Sequence, residues 1–343
     1  MHSIIARNVH QALPEVMHLM ATKGVMRESR NGPVLKVPGP VSICYERPEE
    51  RVMFWPERDA NPFFHCLEAL WMLAGRNDVA FVAGILPRMA SFSDDGLTLH
   101  GAYGYRWRHQ FGYDQLPKIA QALKEDRYDR RQVLSIWDAV DDGGGLGRES
   151  KDLPCNTQVY FSRTDNGTLD MTVTNRSNDA VWGALGANAV HFSMLQEYLA
   201  TMIGCHVGKY WQVTNNLHLY LEHHEVLMHQ MREKAFPSGQ HKSGCPYSQG
   251  IANQTPLIPS GDVGKFDADA AMLLDEKGTV LGMTDWFCRK VGGPLLSAIQ
   301  TYQDKNEAKG SRIDAAQRIM AGGMPVNSDW GLAGSNWLER RRK

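Results

Sequence analysis

The sequence predicts an α+β fold, and three observations carry that prediction. Residues 157–163 and 168–174 are rich in β-branched and aromatic side chains in alternation, and Asp165-Asn166-Gly167 between them is a hairpin signal. Two stretches, one beginning at Pro62 and one after Gly186, carry helical apolar spacing. Strands and helices then follow one another without a regular βαβ beat, which argues against a doubly wound parallel sheet.

Taken in order, Asn61 reads as a helix cap with Pro62 in the first turn, and the helix is expected to run to about Gly75. Phe64, Glu68, Trp71 and Met72 are spaced to share one face of it. Gln132 to Trp137 reads as a strand and Asp141 to Gly147 as a glycine-rich loop. The helix after Gly186 spans roughly four turns, with Phe192, Leu195, Leu199 and Met202 on its apolar stripe. Lys209 to Val213 and Leu217 to Leu221 read as strands. Beyond residue 250 the pattern weakens to one helix, about 306–321, and a polar, basic terminus. There is no internal repeat and no low-complexity linker.

Bulk properties exclude several classes. A net charge of −1 leaves no electrostatic footprint for a nucleic-acid polymer. The six cysteines form no CxxC pair, which argues against a zinc ribbon or a disulfide framework and favours a reducing compartment. No apolar run approaches the roughly 18 residues of a membrane span, and the first residues lack a signal-peptide core. A soluble, cytoplasmic protein is expected. With 343 residues, 43% of them apolar, the chain has enough material for one large domain or two ordinary ones.

The residues that carry chemistry cluster around Cys155, in Asp152-Leu153-Pro154-Cys155-Asn156-Thr157 at the mouth of a strand. Alone, such a thiol reads as a small core hydrophobe; as a nucleophile it needs nearby positive charge. Arg130-Arg131 upstream and Arg176-Ser177 downstream offer guanidinium forks and a hydroxyl of the kind a phosphate wants, and Arg30 in Ser29-Arg30-Asn31-Gly32 offers another from a loop. Glu68 on an apolar helical face is costly unless paired or protonated, so it reads either as a satisfied structural acid or as an acid/base. Asn188, otherwise a helix cap, has an amide whose donor and acceptor match O4 and N3–H of uracil; a carboxylic acid would suit cytosine better. His218 and Tyr220, two apart on a strand, share one face and suit a sugar hydroxyl. Together these suit chemistry on a free nucleotide. His223-His224-Glu225 with His229 hints at a metal, but the histidines five apart do not share a helical face, and no metal is expected.

Glu68-Ala69-Leu70-Trp71, Gly101-Ala102-Tyr103-Gly104-Tyr105-Arg106-Trp107, Arg130-Arg131, Pro154-Cys155, Arg176-Ser177-Asn178-Asp179 and His218-Leu219-Tyr220, in this order, resemble the thymidylate synthase family, which includes the phage pyrimidine hydroxymethylases. The resemblance implies a single catalytic domain over 1–343, with a divergent region from about 240. Its large mixed sheet would pack against helices and back to back with a second copy in a homodimer. It implies Cys155 as the nucleophile toward C6 of a pyrimidine, Glu68 as acid/base and Tyr103 near C5. Arg30, Arg176 and Ser177 would hold the phosphate, with Arg130 and Arg131 donated across the dimer. Asn188 would read the base, His218 and Tyr220 the sugar, and Asp179 would lie beside the pterin of 5,10-methylenetetrahydrofolate, the co-substrate.

Departures from the family pattern point to one branch. Asn156 stands where synthases usually carry His, and Asn178 where they usually carry Cys. No Trp occurs in Met89 to Phe92, before Tyr103, and residues 336–343 do not resemble the short apolar tail of the synthases. An open, polar pocket favours water over hydride at the final carbon. The expectation is therefore hydroxymethylation of a pyrimidine monophosphate, dUMP first and dCMP or CMP behind it. The alternatives are a thymidylate synthase and, from another class, an inactive nucleotide- or RNA-binding relative.

Overall fold

The computed structural model describes residues 1–144, 149–234, 244–275 and 282–342. The chain forms two compact units interleaved in sequence. The first comprises Met1–Asp59, Pro117–Trp137 and Cys155–Gln249; the second comprises Ala60–Leu116, Asp138–Pro154 and Gly250–Lys343.

The first unit holds every multi-residue strand of the described residues. Its larger sheet has six strands in the order β1 (His2–Ala6), β4 (Val41–Tyr45), β9 (His206–Thr214), β7 (Thr168–Asn175), β6 (Asn156–Arg163) and β5 (Val133–Ser135). It is mixed: β1/β4 and β7/β9 are parallel and the other pairs antiparallel. The predicted hairpin joins β6 to β7, with Gly167 at φ +78°, a conformation that favours glycine. The parallel β7/β9 pair requires a long crossover. α7 (Asn188–Ile203) supplies it and ends on Gly204 in the left-handed region. The Gln196 amide donates to the carbonyls of Leu169 and Lys209, tying that helix to both strands. Val159, Phe161, Leu169, Met171, Val173 and Tyr210 face the core, while Gln158 and Tyr160 stay exposed. A smaller sheet, in the order β2 (Val25–Arg27), β3 (Val34–Lys36), β10 (Leu217–Tyr220) and β8 (Asn178–Asp179), lies in the same unit. α1 (Val9–Lys23) and α8 (Leu221–Arg232) pack on one another there.

The second unit is helical. α2 (Pro62–Leu73) starts as predicted, the Asn61 side chain accepting from the Phe64 N–H, and Gly75 follows it at φ +71°. α2 has no solvent-exposed face, because all twelve of its residues are buried. Its Phe63, Phe64, Leu67, Leu70 and Trp71 are each no more than 1% exposed, and each contributes about 1.5–3 kcal/mol of apolar burial. α3 (Val79–Ile85) and a 3₁₀ turn over Pro87–Phe92 follow. α4 (Tyr103–Arg108) packs on α2 where Gly104 meets the Met72 backbone so closely that a Cβ would not fit. α5 (Gln115–Glu125) then leads back to the first unit.

Residues 141–144 are not loop, as expected, but a short helix α6 (Asp141–Gly144); residues 145–147 lie outside the described residues. The cause is a buried ion pair. Arg106, 0% exposed, donates to both oxygens of Asp142 at 2.6 and 2.9 Å and to the His100 carbonyl. Downstream come α9 (Val263–Asp275), α10 (Gly293–Gln303), α11 (Lys309–Gly323) and α12 (Asp329–Arg340). Only α11 was expected. The terminus read as polar and basic is mostly helix, with Trp330, Ala333, Trp337 and Leu338 buried and Phe63 edge-on to Trp337 at 5.5 Å.

Candidate active site

Cys155 immediately precedes β6, and its neighbours are set by strand register. Asn156, Asn175 and Thr214 are paired across β6, β7 and β9, so three polar side chains form one rung at the sheet end. The backbone N–H of Arg176, just past β7, donates to the Cys155 carbonyl at 3.0 Å. That bond brings the Arg176 guanidinium to 3.9 Å from the Cys155 sulfur, while the same guanidinium lies over the Trp137 ring at 5.7 Å. Cys155 is half-buried rather than walled off.

Arg176 also lines a cleft of about 470 Å³. Five predicted residues meet there: Arg30, Arg176, Ser177, His218 and Tyr220. Arg30 sits on a tight turn between β2 and β3. Ser29 and Gly32 exchange backbone hydrogen bonds there, and the Ser29 hydroxyl donates to the Gly32 carbonyl. The Ser177 hydroxyl lies 3.5 Å from His218 Nδ1, and the His218 and Tyr220 rings meet edge to face at 5.2 Å. Arg27, Lys36 and Asn216 line the cleft too and were not foreseen. Lys36 enters through its pairing with His218 across β3 and β10, a non-local register that no short motif encodes. Four cationic side chains (Arg27, Arg30, Lys36, Arg176) against one carboxylate (Glu28) give the cleft an anion-binding character.

Asn188 is the first residue of α7, but it is not that helix's N-cap; Ala187 holds that position. The preceding helical segment Ala180–Ala187 runs into α7 across a non-helical Gly186, which leaves the Asn188 side chain available elsewhere. Its Oδ1 accepts from Asn156 Nδ2 and its Nδ2 donates to Asn178 Oδ1, both at 3.1 Å. The two asparagines that depart from the family pattern thus both contact the predicted base reader. Asp179, paired in register with His218, accepts from the N–H groups of Val181 and Trp182 through Oδ1, both at 2.7 Å.

Arg130 and Arg131 do not line the cleft. Both are exposed, and Arg131 is clasped by Asp129, whose carboxyl is held down at about 2 chiefly by that side-chain hydrogen bond.

Glu68 and Tyr103 belong to the second unit, on the packed helices α2 and α4; Glu68 is buried at 5% exposure. Sequence reasoning missed a second carboxyl of that unit. Asp152 accepts the Gly101 N–H at 2.9 Å, and burial pushes its pKa up to about 6, with the charge of Glu68 adding a little. His100, Asp141 and Asp142 bring possible metal-ligand atoms within 4.8 Å of one another, but Asp142 is already engaged by Arg106. No helix of the described residues is long and apolar enough to cross a membrane.

The thymidylate synthase family model matches residues 15–243. A deoxyuridylate hydroxymethyltransferase of Pseudomonas phage M6 is 52% identical over 342 residues, covering 100% of this chain and 95% of that protein. The enzyme of the same name from Bacillus phage SP01 is 40% identical over 193 residues, covering 53% of this chain and 50% of its own. A thymidylate synthase of Streptococcus suis is 40% identical over 113 residues, covering 32% of this chain and 38% of its own. These matches make the protein an enzyme of the one-carbon transferase class. Within that class, the chain belongs to the thymidylate synthase family.

Proposed function

We propose that the protein is a deoxyuridylate hydroxymethyltransferase, converting dUMP, methylenetetrahydrofolate and water into 5-hydroxymethyl-dUMP and tetrahydrofolate. The observation that carries this reading is the Arg176 guanidinium. It stands 3.9 Å from the Cys155 sulfur and also lines the cationic cleft with Arg30, Ser177, His218 and Tyr220. One arginine thereby links the nucleophile to a phosphate and sugar site. The full-length likeness to the phage M6 enzyme supplies the substrate and product class.

In this mechanism Arg30, Arg176 and Ser177 grip the phosphate, and His218 and Tyr220 hold the deoxyribose hydroxyl. Asn188 reads O4 and N3–H of the base. The Cys155 thiolate adds to C6, which makes C5 a carbon nucleophile. Methylenetetrahydrofolate, when bound, supplies one carbon at the formaldehyde level to C5. Asp179 fits its pterin, because the carboxylate keeps Oδ2 outside its cap bonds. Tyr103 assists removal of the C5 proton, and Glu68 moves protons to and from O4 and the attacking water. Water adds at the new carbon, and the thiolate leaves C6.

A homodimer is part of the proposal. The outer face of the large sheet, with exposed Gln158 and Tyr160 and half-buried Thr172, Thr174 and Trp211, is the surface that would pack back to back, and exposed Arg130 and Arg131 would reach the partner's phosphate site. The test is the mass of the product from dUMP and methylenetetrahydrofolate. A gain of CH₂O with tetrahydrofolate left over supports the reading. A gain of CH₂ with dihydrofolate absorbance makes the protein a thymidylate synthase. Nucleotide binding without C5-proton exchange makes it an inactive relative.

A further inference from the structure

Asn188 is one link in a buried chain of side-chain amides, and that chain has a direction. The Thr214 hydroxyl donates to Asn175 Oδ1 at 2.9 Å, and Asn175 Nδ2 donates to Asn156 Oδ1. Asn156 donates to Asn188, Asn188 to Asn178, and Asn178 Nδ2 to Gln212 Oε1 at 3.1 Å. Gln212 Nε2 ends the chain on the Ala184 carbonyl at 2.9 Å and the Tyr45 hydroxyl at 3.2 Å, and Tyr45 itself donates to Ala184 at 2.7 Å. Asn156, Asn175, Asn178, Asn188, Gln212, Thr214 and Tyr45 are all at most 5% exposed, so a wrongly turned amide has no water to relieve it.

The direction is forced from one end. A backbone carbonyl only accepts, so Gln212 must present nitrogen to Ala184 and oxygen to Asn178. Asn178 must then present nitrogen to Gln212 and oxygen to Asn188, and the same logic passes to Asn156 and Asn175. The Thr214 hydroxyl at the far end donates or accepts equally well, so it imposes nothing. Gly183 leaves room for the link, since a Cβ there would collide with Asn178 Oδ1 and crowd Asn188 Nδ2. With one bond made on each side, Asn188 retains one N–H and one oxygen lone pair in a fixed sense. Uracil presents acceptor O4 beside donor N3–H; cytosine presents donor N4–H beside acceptor N3. An amide turned over would exchange one match for the other.

We infer that Gln212, anchored on the Ala184 carbonyl, is a positioning residue that sets uracil over cytosine by fixing the sense of Asn188 through Asn178. This rests on the reading that Asn188 faces the base. Tyr45 is secondary, because the Gln212–Ala184 bond fixes the sense without it.

The test compares kcat/KM for dUMP and dCMP, with methylenetetrahydrofolate, in the wild type, Gln212→Met and Tyr45→Phe. The wild type is expected to prefer dUMP. Gln212→Met removes the anchor, lets the chain run in either sense, and lowers that preference by about tenfold or more. Tyr45→Phe keeps it. If Gln212→Met slows both substrates equally and preserves the ratio, or if Tyr45→Phe erodes the ratio as much, the inference is overturned while the hydroxymethyltransferase reading stands. If the wild type does not turn over dUMP, that reading fails instead. Neutron diffraction on deuterium-exchanged wild type judges the inference in either case, and also if Gln212→Met does not fold. Deuterated nitrogen of Asn188 toward Asn178 supports it, and toward Asn156 overturns it.

Discussion

Asp152→Asn is expected to stabilise the protein, and to do so only where Asp152 is ionised. The carboxyl has a folded pKa of about 6 against an ordinary 3.8, raised by burial despite the hydrogen bond from Gly101. A pKa raised by folding means that the native state holds the proton more tightly than the unfolded chain. Its contribution is therefore fully present below about pH 4 and is lost as pH rises through about 6. A shift of about 2 pH units at about 1.36 kcal/mol per unit gives a native-state penalty of about 3 kcal/mol above pH 7. Roughly half of it develops between pH 5 and 8. Asp152 keeps some exposed surface, which reduces the full figure to about 1–3 kcal/mol. Asparagine keeps an oxygen for the Gly101 N–H and carries no charge, so it removes the penalty and spares the bond. Urea unfolding of wild type and variant at half-unit steps from pH 5 to 8 measures the difference. The variant's advantage should widen as pH rises and level off above 7. An advantage independent of pH, or one that shrinks toward pH 8, would refute the assignment of a raised pKa to this carboxyl.

Arg106→Met should cost about 3–5 kcal/mol in urea unfolding, because it strands the Asp142 carboxylate, which has 0% side-chain exposure, without its guanidinium. Arg176→Lys should lower kcat/KM for dUMP by about 10–100-fold, since an ammonium cannot reproduce the fork between phosphate and thiol; an unchanged value would remove Arg176 from the phosphate site. Asn188→Asp should turn the preference from dUMP toward dCMP, read as the ratio of product masses from an equimolar mixture; a retained dUMP preference would show that another group reads the base. Cys155→Ala should abolish product formation while leaving nucleotide binding measurable by calorimetry, and residual turnover would exclude the covalent route.

The parts of the fold that were legible in sequence are those whose signal is local. The β6–β7 hairpin follows from Asp165-Asn166-Gly167, and the start of α2 from Asn61-Pro62. α12 was equally legible and was missed. Trp330, Ala333, Gly334, Trp337 and Leu338 carry a helical stripe, and Ser328 caps it, but the run of arginines after it reads as a tail. The partial burial of Met202, expected on the α7 stripe, and the complete burial of α2 were not legible, because periodicity shows which residues are apolar and not how many neighbours surround them. At the site, Arg30, Arg176, Ser177, His218 and Tyr220 were found by residue type and resemblance. Lys36 depends on the pairing of β3 with the distant β10, and Arg27 on the β2–β3 hairpin that this pairing carries to the cleft. Asp152 lies only three residues before Cys155, yet nothing in Asp-Leu-Pro-Cys distinguishes an enclosed carboxyl from a solvated one. The alternative reading of Asn188, a helix cap, rested on the glycine-rich turn before it. A helical segment, kinked at Gly186, instead runs from Ala180 into α7, and the side chain turns to the amide chain.

The polar rung beside Cys155 bears on how the enzyme behaves across pH. Thymidylate synthases usually place His after the nucleophile, whereas this chain places Asn156 there, 0% exposed and bonded to Asn175 and Asn188. An imidazole at that point would gain a proton near its ordinary pKa of about 6.5, change from one donor to two, and so reverse a link of any directional chain that included it. An amide has no such transition. Buried amides are costly unless every donor and acceptor is met, so a chain of four asparagines and a glutamine is tolerated because it closes on a backbone carbonyl that cannot titrate either. Ionisation thus leaves the sense of Asn188 untouched between pH 5 and 8, and the preference for uracil should be constant over that range even where turnover is not. Asn156→His, as an imidazolium, would still donate to Asn188 Oδ1 and would reverse only the link to Asn175, whose amide can turn over because Thr214 accepts as readily as it donates, so the dUMP-to-dCMP ratio should hold as pH drops through about 6.5. A ratio that fell with pH in the variant would mean that the sense of Asn188 is set from the Asn156 side and not from Gln212.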